Sequence, residues 1–353
     1  MDADIGAALQ NTLLEAIAQR TPLRIVGGDS KSFYGRVTQG ERLSVAGHRG
    51  VVSYEPTELV ITARAGTPLA EIEALLAEHG QMLPFEPPHF SAGSTLGGAI
   101  ASGLSGPRRP YAGGARDFVL GVTVLTGKGE ILRFGGQVMK NVAGFDVSRF
   151  LAGSLGTLGI LLEVSLKVLP RPESEQTLLF ESSDRDAIQC MNAWAGQSLP
   201  LSGAVFDNGW LYLRLSGSTA AVHAAGGKLG GETVTDTTTF WAEVRDHRHP
   251  FFGDGVPLWR LSLPPATPPL DLPGTWLLDW GGAQRWLKTS ASAEAVRETA
   301  AKAGGHAALF RGGDRQSEVF HPLSPAVAAL HKRLKAEFDP QAILNPGRMY
   351  RGL

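Results

Sequence analysis

Apolar residues recur at helical spacing over residues 7–19, where Leu9, Leu13 and Ile17 share one face and Thr21-Pro22 closes the segment. The pattern then shortens to strand length: Leu23 to Val26 runs into Gly27-Gly28, and Val51-Val52 and Leu59 to Ala63 flank Glu55-Pro56-Thr57. A second helix follows, with Thr67 as its expected cap, Pro68 at its first position, Leu69, Ile72, Leu75 and Leu76 as its buried stripe and Gly80 as its stop. Phe118 to Thr126 and Glu130 to Phe134 read as paired strands about the turn Gly127-Lys128-Gly129. A short helix is expected over 146–151 and an alternating strand over 160–169, after which Pro170-Arg171-Pro172 marks a boundary.

Beyond that boundary the style changes. Strand patterns fall at 177–180, 204–207, 210–215, 258–263, 275–280, 284–288 and 307–310, and helical patterns at 184–195, 218–228, 238–247, 293–303 and 325–338. This mixture predicts an α+β domain with an antiparallel sheet. Pro264, Pro265, Pro268, Pro269 and Pro273 mark a surface loop within it.

A chain of 353 residues with 43% hydrophobic content is long enough for two domains with substantial cores. A net charge of -1 removes the electrostatic case for nucleic acid. The single cysteine, Cys190, admits no internal disulfide and no iron–sulfur cluster, and its amphipathic surroundings suit a buried structural thiol. Asp2 and Asp4 stand where a signal peptide would carry basic residues, and no apolar run is long enough to span a bilayer. The expectation is a cytoplasmic protein, associated with the inner face of the membrane only through a complex.

The 44 glycines cluster between apolar runs rather than forming low-complexity tracts. In Gly27-Gly28-Asp29-Ser30-Lys31-Ser32, a strand ends in successive backbone N–H groups and two hydroxyls, a nest suited to a pyrophosphate, although an ordinary turn has the same look. Ser94 to Gly103 carries Gly97, Gly98, Ala99, Ala101 and Gly103, small residues that let a flat ligand approach the backbone. Gly153 to Gly159 forms a third such loop. No Gly-x-Gly-x-x-Gly opens a helix after the first strand and no Gly-x-x-x-x-Gly-Lys-[Ser/Thr] is present, so Rossmann and P-loop sites are disfavoured.

Taken together, Gly27-Gly28-Asp29-Ser30, Gly93 to Gly98, Arg116 to Gly121 and Gly153 to Ile160 resemble the FAD-binding domain of the vanillyl-alcohol oxidase/p-cresol methylhydroxylase superfamily. The tail Phe338-Asp339-Pro340…Asn345-Pro346-Gly347-Arg348 resembles its 2-hydroxyacid branch. Lys140 to Val147 and Pro257 to Pro264 resemble the short E-type FAD-binding subunits of bacterial glycolate oxidase (glycolate dehydrogenase).

That resemblance implies a two-subdomain FAD-binding domain over 1–172, an α+β cap over 173–315 and a segment 316–353 returning to the FAD. It assigns cofactor binding to Gly27, Gly28, Asp29, Ser30, Lys31, Ser32, Pro87, Ser94, Thr95, Gly97, Gly98, Ala101, Ser102, Gly103, Asp117, Gly156, Gly159, Ile160, Asn345 and Arg348. Many relatives link FAD to a histidine just after the first glycine pair; Asp29 stands there, so non-covalent FAD is expected.

A 2-hydroxy acid calls for a guanidinium at its carboxylate, for which Arg260 and Arg348 are the first choices, and Lys140 is placed to stabilise charge on reduced flavin. A surface ion pair and a solvated loop are the plainer alternatives for Arg260 and Lys140. His247-Arg248-His249, with His321 as a remote third ligand, is the nearest approach to a metal cluster; solvent-exposed histidines at a helix end are the favoured reading, so no metal is expected.

The leading function that the resemblance implies is oxidation of a 2-hydroxy acid, glycolate or D-lactate, to the 2-oxo acid, with electrons passed to partner subunits: a larger FAD subunit and an iron–sulfur subunit. Two alternatives stay open. One is an accessory subunit whose flavin is structural or a relay, with catalysis in the larger homologous subunit; the other is a self-sufficient oxidase that reduces oxygen.

Overall fold

The computed structural model describes residues 2–136 and 147–353, and the chain divides into two compact units. The first comprises residues 1–104, 114–170 and 315–353, and the second 105–113 and 171–314.

Among the described residues, the first unit holds a five-stranded antiparallel sheet in the order Val51–Glu55, Val60–Arg64, Ile160–Lys167, Val119–Leu125, Ile131–Gly135. Its middle strand, Ile160–Lys167, is buried at six of its eight positions, because neighbours cover both edges and packing covers both faces. Helix Gly6–Gln19 buries Leu9, Leu13 and Ala16 in a cluster with Leu23, Leu43, Leu125, Ile160, Leu162, Ile343 and Leu344. Each buried leucine there stabilises by roughly 1.5–3 kcal/mol. The cluster draws the chain's two ends together. Leu23–Val26 pairs in parallel with Glu41–Ser44, and Leu23 bridges in parallel to Leu344.

The helix expected after Thr67 runs from Leu69 to Glu78, but Pro68 is its N-cap and Thr67 does not cap it. The Thr67 hydroxyl instead accepts the N–H of Gly50 at 2.9 Å and donates to its carbonyl at 3.2 Å, a buried tertiary pairing that outcompetes the local one. The glycine-rich stretch after Ser94 contains a helix, Leu96–Ser102, with Thr95 as its cap accepting the N–H of Gly98.

The second unit is built on an eight-stranded antiparallel sheet in the order Glu232–Val234, Ser174–Glu181, Trp210–Gly217, Leu201–Asp207, Thr275–Asp279, Gln284–Lys288, Leu258–Ser262, His306–Arg311. Helices Asp184–Ala195 and Thr219–Leu229 bury Ile188, Met191, Val222 and Ala225 against Leu178, Phe206, Leu211, Leu213 and Leu215. Cys190 is half-buried and packs on this core, where burial pushes its thiol pKa up. Residues 105–113 belong to this unit although their chain neighbours belong to the first. They are fixed by Arg108 on Glu175 at 2.5 Å, by the Arg109 guanidinium 4.4 Å from the Trp280 ring, and by the Trp280 Nε1–H donated to Gly106 O at 3.0 Å.

Candidate functional site

The strand Leu23–Val26 delivers the chain to Gly27, and the loop that follows turns through Asp29 in the left-handed region at φ 54°. Aspartate tolerates that region better than most side chains. Among the described residues the N–H groups of Gly28, Asp29 and Ser30 meet no acceptor, leaving adjacent donors for an anion. The buried Lys31 places its ammonium 2.5 Å from Ser94 Oγ, 3.3 Å from Ser30 Oγ and 5.6 Å from the centre of the Phe90 ring. Gly28 lies so close to Gly93 that a Cβ there would overlap the Gly93 carbonyl, so this glycine is required by the approach of two backbones.

The second wall is the face of helix Leu96–Ser102 bearing Gly97, Gly98, Ala101 and Ser102. Its first N–H groups are already used: Leu96 donates to Thr67 O, Gly97 to Ala65 O and Gly98 to Thr95 Oγ1. A Cβ on Gly97 would meet Ala65 Cβ at 2.7 Å, so Gly97 is small for the sake of a packed neighbour.

The third wall is Ser154 to Gly156 with Gly159 to Leu161, and the tail closes the ring. Asn345 Oδ1 accepts the Ile25 N–H at 2.8 Å, and its Nδ2 donates to Leu155 O at 2.7 Å. A single buried amide therefore ties the first strand to the third loop. Leu155 and Asn345 sit at φ 53° and 43°, so with Asp29 three non-glycine residues of the cleft hold left-handed backbone. Asn and Asp tolerate this region, so of the three Leu155 carries the strain, about 1–3 kcal/mol, that its surroundings in the cleft must hold. Arg348 Nη2 donates to the carbonyls of Lys31 and Tyr34 at 3.2 and 3.1 Å, and burial holds its guanidinium below the usual arginine range.

These residues line one cleft of about 780 Å³, open solvent at its mouth included. Unpaired N–H groups beside Lys31 and Arg348 suit a diphosphate, the wall of Gly98 and Ala101 suits a flat ring, and Val45, Ile160 and Leu161 give an aromatic base an apolar surface. The donor set fits FAD.

Gly27, Gly28, Asp29, Ser30, Lys31, Ser32, Thr95, Gly97, Gly98, Ala101, Ser102, Gly156, Gly159, Ile160, Asn345 and Arg348 all line this cleft. Four residues assigned with them do not. Ser94 stands behind the first loop and holds Lys31. Gly103 is the left-handed end of helix Leu96–Ser102, at φ 63°. Asp117 is exposed and accepts the Gly114 N–H at 2.8 Å to cap a turn, and Pro87 is buried outside the lining.

Sequence reasoning left Ile25, Val26, Val45, Ala65, Ser154, Leu155 and Leu161 out of the set. Ser154 and Leu155 lie inside a recognised glycine loop, whereas Val45 and Ala65 arrive on segments without a glycine signal.

Arg260 lies on the strand Leu258–Ser262 of the second unit, its guanidinium 5.7 Å from the centre of the Phe310 ring. Lys140 lies outside the described residues, as does most of the motif around it. The histidine pair is not the exposed helix end expected. His247 stacks on Phe252 at 4.0 Å and 7° and meets Trp286 edge-on, and burial, with Arg311 and Arg260 adding to it, holds its imidazole well below the usual histidine range. His249 Nδ1 accepts the Phe251 N–H at 3.4 Å. The Pro250-Phe251-Phe252 turn folds back on the helix end and packs these rings, which the sequence spacing could not reveal. Among the described residues no group of three His, Cys, Asp or Glu is placed to hold a metal.

Residues 6–135 match the family described as FAD binding domain, and residues 279–349 match the C-terminal domain of FAD linked oxidases. Alkyldihydroxyacetonephosphate synthase has a similar fold, with a TM-score of 0.68 over 97% of this chain and 74% of that one, at 16% sequence identity. Fold, cleft and family matches define an FAD-linked oxidoreductase.

The chain is 50% identical over 349 residues to glycolate oxidase subunit GlcE of Escherichia coli (strain K12), spanning 99% of this chain and 98% of that one, and it belongs to that family. Partial matches include glycolate oxidase subunit GlcD of Bacillus subtilis (strain 168), 33% identical over 44% of this chain and 34% of its own length. D-lactate dehydrogenase of Anaerostipes hadrus is 31% identical over 40% of this chain and 29% of its own.

Proposed function

We propose that this chain is the FAD-binding subunit of a glycolate oxidase complex, in which a 2-hydroxy acid, glycolate or D-lactate, becomes the 2-oxo acid and electrons pass to partner subunits. The observation that carries this reading is a single cleft built by sixteen of the anticipated cofactor residues, in a chain matching a glycolate oxidase subunit along almost its whole length. When bound, FAD supplies the hydride acceptor for C2 of the substrate.

The residues of the chain bind and orient. The N–H groups of Gly28, Asp29 and Ser30 hold the diphosphate, and Lys31 and Arg348 offset its charge. Gly98 and Ala101 support the flat ring system, and Asn345 keeps the first and third loops in register. Arg260 and Lys140 are the proposed contacts for the substrate carboxylate and for negative charge on the reduced ring.

The proposed partners are a larger FAD subunit and an iron–sulfur subunit, since one cysteine cannot ligate a cluster. Among the described residues no helix is long and apolar enough to cross a membrane. The proposed location is the cytoplasm, with any membrane association made through the complex.

A specific observation favours the accessory alternative. The Nη2 group of Arg348 is committed to two carbonyls, so this guanidinium is poorly placed for bidentate capture of a substrate carboxylate. Mixing the purified, FAD-loaded chain with glycolate or D-lactate under anaerobic conditions separates the two. The expected result is rapid bleaching of the flavin band; persistent yellow colour assigns catalysis to the larger subunit, and fast peroxide formation in air identifies a self-sufficient oxidase.

The flavin is proposed to be non-covalent. Asp29 offers no linking nitrogen, and its carboxylate lies 3.4 Å from Arg24 Nη1. Cys190 packs on the core of the second unit. Acid precipitation is expected to leave all yellow colour in the supernatant, and a yellow pellet would overturn the assignment.

A further inference from the structure

We infer that Lys335 and Asp339 are positioning residues for the FAD cleft, acting through the tail and the third glycine loop. This rests on the reading of the cleft as the FAD site. Neither residue is part of the cleft lining.

Lys335 is the one buried residue of the helix Pro325–Phe338, an unusual choice for the single anchor of a surface helix. Its ammonium donates to Asp339 Oδ2 at 2.6 Å, to Thr157 O at 2.7 Å and to Leu344 O at 2.9 Å, which commits all three of its protons. Asp339 Oδ2 also accepts the Leu344 N–H at 2.8 Å, and Oδ1 accepts that of Ile343 at 3.3 Å. The pair thus grips Leu344 by both its backbone groups.

The next residue is Asn345, which holds left-handed backbone and cross-links Ile25 to Leu155. Thr157 belongs to the same loop as Leu155 and Gly156. A Cβ on Gly156 would meet Asn345 Nδ2 at 2.7 Å, so the loop and the tail amide fit with no room to spare. One ammonium therefore fixes the distance between two segments that form adjacent walls of the cleft.

Stability alone does not account for the pair. A buried ion pair is commonly matched or bettered by apolar residues of similar volume, whereas removal of one partner leaves an uncompensated charge. What apolar residues cannot reproduce is the grip on Thr157 O and on both backbone groups of Leu344.

The test compares Lys335→Met, Asp339→Asn and the double variant Lys335→Met/Asp339→Leu with Lys332→Met, an exposed change on the same helix. FAD is titrated into each apo-protein by flavin fluorescence, well below the thermal midpoint measured for that apo-protein. The double variant is expected to regain the midpoint lost in Lys335→Met, yet to bind FAD about tenfold to hundredfold more weakly than wild type. Asp339→Asn keeps an oxygen for the Leu344 N–H and should fall between them, with faster amide hydrogen exchange at Leu344 and Asn345.

A double variant that folds and binds FAD as wild type does would overturn the inference, as would affinity that merely follows the thermal midpoint. If the double variant does not fold, Asp339→Asn decides, since unchanged exchange and unchanged affinity count against a positioning role. Failure of the wild-type chain to bind FAD would instead sink the reading of the cleft.

Discussion

Gly28→Ala is expected to purify as a colourless apo-protein. The added Cβ would overlap the carbonyl oxygen and carbon of Gly93, and both are backbone, so no side chain can swing away to make room. Gly93 cannot retreat easily either, because the next residue, Ser94, accepts the Leu69 N–H through its carbonyl at 2.9 Å and holds Lys31 through its hydroxyl. The first loop and the segment before helix Leu96–Ser102 must therefore separate.

Overpacking of this kind costs about 1–3 kcal/mol. Because the strain falls on two walls of the site, FAD affinity should drop by roughly tenfold to hundredfold. Gly80→Ala is the contrasting control: Gly80, unlike Gly28, has positive φ, at 64°, but a Cβ there meets nothing within 4 Å. It should lose about 1 kcal/mol of stability and keep its flavin. A yellow Gly28→Ala protein with wild-type FAD affinity would refute the account of the first loop.

Asn345→Asp should make FAD binding pH-dependent. Asparagine accepts from Ile25 N–H with one atom and donates to Leu155 O with the other, at a position 2% exposed. Aspartate keeps the first bond but turns a lone pair toward the Leu155 carbonyl, which costs about 1–3 kcal/mol for the orphaned acceptor and more for the buried charge. A protonated carboxyl can donate to that carbonyl again, and burial raises the pKa at which this happens. FAD affinity of the variant should therefore recover as pH falls from about 8 to 5, while wild type, with a neutral amide there, stays flat over the same range. Equal affinity of the two proteins across that range would show that the amide carries no register between the loops.

The cleft was legible where chemistry depends on residue type. Gly27 to Ser32 and Gly153 to Ile160 stood out because bare backbone and close approach demand glycine, and glycine is visible in sequence, whereas the Asn345-Pro346-Gly347-Arg348 tail stood out only through its resemblance to a known family. Even so, the reasons were partly misread. Gly97 yields space to Ala65, Gly103 ends a helix, and Ser94 and Arg348 hold the first loop in place. A sequence shows that a residue is small or charged, not which neighbour uses the fact.

By itself the sequence determined the α+β class and most helices and strands of both units, because hydrophobic period is a local property, and its resemblance to a known family pointed to FAD. Only the tertiary structure decided what bonds across long separations. Thr67 turned to Gly50, residues 105–113 joined the second unit, and His247 entered an aromatic cluster. Most of all, Lys335 reached Thr157, 178 residues earlier, and Asn345 joined Ile25 to Leu155. Each of these groups was a buried donor or acceptor whose local partners were lost on folding, and the partner it found was set by which distant segments the core had already brought together.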